Sequence, residues 1–127
     1  MPIIKQKRIE SEDCQANPEA LYLFGDNDQR IGYGGQARAM RDEENAVGIR
    51  TKWLPNMKPA AFFDDDDYDE ITAMIYQDLE PARAHLSAGK IVVIPMDGLG
   101  TGLSQLPDRA PRVFAYLQEQ LTELETL

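Results

Sequence analysis

Ile91-Val92-Val93-Ile94-Pro95-Met96-Asp97-Gly98-Leu99-Gly100-Thr101-Gly102-Leu103 is four consecutive apolar β-formers breaking at a proline into alternating glycines. A short apolar run of this kind reads as a buried strand, and glycines that follow at once read as a loop at its carboxyl end. The same pattern occurs earlier. Leu21-Tyr22-Leu23-Phe24 is apolar and stops at Gly25, and the chain stays polar and glycine-rich to Gly35. Each loop leads toward a helix-forming segment: Gln36 to Arg41 after the first, and about Asp108 to Leu124 after the second. In the latter, Val113, Leu117, Leu121 and Leu124 share one face and Asp108 is the expected N-cap.

Between the two units lie a further strand candidate, Ala46-Val47-Gly48-Ile49, and a helix with Ile71, Met74, Ile75, Leu79, Ala82 and Leu86 on one face. Pro81 should kink or split that helix, and Ser87-Ala88-Gly89 should end it. The acidic run Asp64 to Asp67 precedes it, where carboxylates oppose the helix dipole and cap free amides. At the start of the chain, Ile3 to Ile9 reads as a short edge strand and Ser11 to Ala16 as a helical turn. Strands alternating with helices favour a mostly parallel sheet covered on both faces, within a single domain spanning residues 1–127. Leu21–Phe24, Ala46–Ile49 and Ile91–Ile94 are its expected central strands. Both glycine loops then lie at strand carboxyl ends, where open α/β sheets bind ligands.

Composition narrows the function. The chain of 127 residues carries a formal charge of −9, which opposes general nucleic-acid binding. Its apolar runs fall well short of the ~20 residues that span a membrane. The start of the chain lacks the pattern of a secretory signal. A single cysteine, Cys14, permits no internal disulfide, and a reducing cytoplasm is the expected location. One histidine, His85, gives no basis for a zinc site or a serine triad. It should instead meet the carboxyl end of its helix. A negative protein can still hold a small anion locally, because glycine-rich backbone exposes N–H groups and tolerates positive φ. No cofactor or metal is expected. At the end of the middle strand, Arg50-Thr51-Lys52-Trp53 places two cations on the rim where the loops should meet.

These segments resemble the macrodomain family. They are most similar to the branch containing the terminal ADP-ribose protein glycohydrolase and the antitoxin macrodomains that remove ADP-ribose from DNA. The features that carry the resemblance are Gly32-Tyr33-Gly34-Gly35-Gln36-Ala37, Ile49-Arg50-Thr51-Lys52, and Pro95-Met96-Asp97-Gly98-Leu99-Gly100-Thr101-Gly102, in that order over about Leu21 to Leu121. The resemblance implies a three-layer α/β/α sandwich, macrodomain-like, with a mostly parallel central sheet. It implies a nucleotide ligand such as ADP-ribose, free or on an ADP-ribosylated macromolecule. Gly34, Gly35, Gly98, Gly100 and Gly102 would hold the diphosphate, and Asp26 or Asn27 would contact the adenine or a ribose. Lys52 would be the catalytic residue facing the reacting ribose, and Gln36, Thr51, Asp97 and Thr101 complete the expected ligand-binding set. The branch has an acid soon after the last glycine, where this chain has Leu103-Ser104-Gln105-Leu106, so Asp97 or Asp108 would have to replace it. That departure sets a non-catalytic binding or sequestering module beside the ADP-ribosyl glycohydrolase. A nucleotide or nucleoside hydrolase or transferase on another Rossmann-like sheet is the third alternative.

Overall fold

The computed structural model describes residues 3–127. In chain order the elements are β1 (Ile3–Gln6), α1 (Ser11–Ala16), β2 (Leu21–Asn27), α2 (Ala37–Met40), β3 (Ala46–Lys52), α3 (Tyr68–Asp78), α4 (Glu80–Ser87), β4 (Val92–Pro95), α5 (Leu106–Arg109) and α6 (Pro111–Leu124). Single 3-10 turns at Pro59–Ala61 and Asp65–Asp67 precede α3. The four strands form one all-parallel sheet in the order β1-β4-β2-β3. No helix is long and apolar enough to cross a membrane among the described residues.

Strand alternation divides the core. Leu23, Val92 and Ile94 join Ile71, Ile75, Leu79, Val113 and Leu117, so α3, α4 and α6 cover one face of the sheet. Tyr22, Phe24 and Val93 point the other way, onto Cys14, Ala37 and Met40 of α1 and α2. At about 2 kcal/mol for each fully buried aliphatic side chain, the first face supplies most of the hydrophobic stabilisation. Cys14 is sealed in the second. Its thiol is pushed up to about 11, chiefly by burial and then by Glu43 and Asp13, so it is a poor nucleophile.

Several expectations change. Ala46–Ile49 belongs to an edge strand rather than a central one. Its outer rim is closed by side chains: Arg30 donates to the Gly48 carbonyl at 2.6 Å, and the Arg50 amide donates to the Asp78 carboxylate at 2.9 Å. An edge blunted in this way has little left to offer an incoming strand. The helix after the second loop is broken at Ala110, giving one turn in α5 before α6 begins at Pro111. Asp108 does not cap it. The cap comes from Asp65, whose two carboxylate oxygens accept from the Arg112 and Val113 amides at 3.1 Å each. The segment after Gly35 makes only one helical turn, α2. Pro81 separates α3 from α4 as expected, lying in the first turn of α4 where its missing N–H is harmless. His85 is held by the Glu19 carbonyl, 2.7 Å from Nε2.

Candidate functional site

The site follows from how β2 and β4 part. They are neighbours, yet their pairing stops after Leu21–Val92 and Tyr22–Val93. Beyond that β2 continues on β3 to Asn27, and β4 continues on β1 to Pro95. The loop from β2 then leads to α2 on one face, and the loop from β4 leads to α5 and α6 on the other. Adjacent parallel strands whose connections leave to opposite faces open a crevice at their carboxyl ends.

Gln36 bridges this split. Its Oε1 accepts from the Gly25 amide at 2.7 Å, and its Nε2 donates to the Gly98 carbonyl at 3.0 Å. The side-chain amide thus ties the two loops together and is occupied at both ends. The bond does not need a glycine at position 25, since a Cβ there would make only ordinary contacts, 3.4 Å from Thr51 Oγ1 and 3.6 Å from Gln36 Oε1. The loops themselves carry unused donors. Among the described residues, no N–H from Ile31 to Gln36 or from Leu99 to Ser104 donates to a protein acceptor. Gly32, Gly35, Gly98 and Gly100 all have positive φ, the backbone freedom that such concave runs of amides require.

A cleft of about 170 Å³ lies between Gly25–Asn27, Ile31–Gly34, Lys52, Pro55 and Leu103–Ser104. Leu103 closes over it, its Cδ1 3.1 Å from where a Cβ on Gly34 would sit. Asn27 is 7% exposed and its Nδ2 donates to the Ile31 carbonyl at 2.8 Å. Its Oδ1 is buried and accepts no hydrogen bond among the described residues. A buried amide oxygen without a donor is uncommon and points to a group that binds there. Lys52 is 6% exposed. Its Nζ donates to the Asn56 carbonyl at 2.7 Å, and lies 3.6 Å from the Met57 sulfur and 4.7 Å from the Phe62 ring centroid. Burial pushes its pKa below the ordinary lysine value. Arg50 plays no part in this, because its guanidinium is held by Asp78 and Asp28. Trp53 packs edge-on against Phe63 in the core.

The Asp26 carboxylate is fully engaged by Arg41, Arg30 and the Asn27 amide, which leaves Asn27 as the residue with an unused polar atom. Gly34 and Lys52 also line the cleft. Thr51 lies behind it, fully buried, sharing a 2.6 Å hydrogen bond with the Ser104 hydroxyl. Gly35, Gln36 and Asp97 instead line a second cavity across the first loop. Gly98, Gly100, Thr101 and Gly102 line neither, and Thr101 uses its hydroxyl on the Asp97 carbonyl at 2.8 Å. Asp108 lies outside the cleft as well.

Residues 4–120 match a family of unknown function (DUF7831). The chain belongs to that family. Neither a curated protein nor a solved structure matches it.

Sequence reasoning missed the ion network behind the cleft. Asp26, Asp28 and Asp78 alternate with Arg30, Arg41 and Arg50, linking β2, the first loop, β3 and α3. These six residues are scattered between positions 26 and 78 over several elements, with no pattern that joins them. Only Gly48 hints at them, because its Cβ would fall 2.5 Å from Asp26 Oδ2.

Proposed function

We propose that this chain binds ADP-ribose or a related nucleotide on a macrodomain-like, three-layer α/β/α sandwich. The observation that carries the reading is the pair of unbonded amide runs, Ile31–Gln36 and Leu99–Ser104, at the carboxyl ends of the splayed strands β2 and β4. Runs of unbonded N–H groups beside positive-φ glycines favour an anion such as a diphosphate. Asn27 Oδ1 supplies an acceptor for a ribose hydroxyl or a base amine, and Lys52 a donor beside it. Sites for whole drug-sized ligands run to about 300–1,000 Å³, so the cleft takes one sugar-sized fragment while the remainder lies along the exposed loops. Calorimetry with ADP-ribose, NAD, ATP and AMP tests the reading. ADP-ribose should bind more tightly than AMP, and a flat response to all four sinks it.

Binding without hydrolysis is the reading of the site that its carboxylates favour. Among the described residues, the one carboxylate lining the cleft is Asp26, and two arginines hold it. Asp97 lies beyond the first loop, and Ser104 is committed to Thr51. An activated water at the ribose therefore lacks a base. ADP-ribosylated protein and DNA offered to the wild type, Lys52→Ala and Lys52→Arg decide the matter. Tight binding with no release of ADP-ribose supports a sequestering or reading module. Turnover lost in both variants, with binding kept, makes Lys52 the reacting group instead.

A further inference from the structure

We propose that the cavity walled by Lys7, Arg8 and Arg38 is a second anion site, taking the phosphate of a small phosphate monoester. It lies across the first glycine loop from Lys52, encloses about 200 Å³, and does not depend on the nucleotide reading of the first cleft. The sheet builds it. β1 ends at Gln6, whose carbonyl accepts from the Met96 amide at 2.9 Å and whose Nε2 donates to the Arg8 carbonyl at 2.8 Å. The bend so fixed sets Lys7 and Arg8 beside the end of β4. Arg38 comes from α2, and the left-handed Gly35 (φ +57°) forms the adjoining wall.

The charge balance is what marks the site. The protein carries −9 overall, and Lys5, Arg30, Arg41, Arg50 and Arg83 are each in an ion pair. Eight of the thirteen lysines and arginines form none among the described residues, and of these the exposed Lys7, Arg8 and Arg38 line one cavity together. Glu10 and Asp97 also line it, leaving one net positive charge in a negative molecule. The three cations outnumber the two carboxylates, and a bound phosphate would accept charge-assisted hydrogen bonds from them. Asp97 opposes the anion, which gives the proposal a variant that should improve binding.

Ribose 5-phosphate and a phosphoserine peptide are titrated into the protein, read by calorimetry and amide chemical shifts. Ribose 5-phosphate should perturb the amides of residues 7–8 and 35–38. The double variant Arg8→Gln/Arg38→Gln should weaken it about tenfold or more. Asp97→Asn should tighten it, and Lys58→Gln/Lys90→Gln, which removes equal charge elsewhere, should leave it unchanged. Equal affinity in the wild type and the arginine double variant overturns the proposal. So do shifts confined to residues 31–34, 52 and 103–104, or binding of the peptide alone.

Discussion

Lys52 sits in the described structure without a carboxylate partner, a costly place for a cation, with only a carbonyl, a thioether and a ring around its amine. Its pKa is lowered by desolvation, so the unfolded chain binds that proton more readily than the folded one. The penalty is complete below the folded pKa and disappears as pH rises to the ordinary lysine value. Lys52→Met should therefore melt at or above the wild-type temperature at pH 7, with the advantage shrinking as the pH becomes alkaline. A melting series across pH checks this, and a clear loss at pH 7 would mean that the Asn56 bond outweighs desolvation. A residue kept at a cost to stability is characteristic of a site selected for function. Gly48 is the opposite case, a position fixed by packing. Gly48→Ala would drive a methyl into Asp26 and Arg30, breaking a buried ion network, and should cost about 3 kcal/mol or more by chemical denaturation.

At the scale of elements, the acidic run before α3 does its work elsewhere. Asp64 caps its own 3-10 turn, but Asp65 reaches across to cap α6. Asp65→Ala should lower stability by about 1 kcal/mol, while Asp66→Ala, whose carboxylate holds no such bond, should change it little. Paired denaturation curves test the difference. This remote cap also explains what could be read from sequence. β2, β4, the glycine loops and the break at Pro81 were legible because each rests on a contiguous run or one backbone rule. The start of α6 was not, since its cap lies 47 positions away from the amide it serves. The edge position of β3 was hidden for a similar reason. Its apolar residues report burial by α3 on one face, whereas strand order depends on which neighbours pair, and its rim is closed by Arg30 and Asp78 from distant segments. Lys52, and the pair Asp26 and Asn27, were legible as residues at the cleft from their place at strand ends. That Asp26 is consumed by arginines, and Gln36 by the two loops, required the assembled structure.

At the scale of the whole molecule, the two loops serve both the fold and the proposed ligand, and the glycines separate these roles. Gly100 has φ +81°, and a Cβ there would lie 2.9 Å from Leu106 Cδ2, so its substitution damages the packing of α5 before any ligand arrives. Gly35 also has positive φ, so a side chain there would be strained whatever the space around it. Gly102 has neither constraint: it is exposed, its φ is not positive, and nothing lies within 4 Å of where its Cβ would sit. Gly102→Leu should therefore fold with an unchanged melting temperature, yet obstruct a ligand that lies along the Leu99–Ser104 amides. ADP-ribose should raise the melting temperature of the wild type, since a ligand that binds only the folded state stabilises it by mass action. The rise should largely vanish in Gly102→Leu, while AMP, too short to engage both loops, should give a small rise in both proteins. A Gly102→Leu protein that responds to ADP-ribose as the wild type does would place the ligand away from the Leu99–Gly102 amides. The cleft beside Asn27 and Lys52 would then have to hold it alone, and at about 170 Å³ that space suits a sugar but not a dinucleotide.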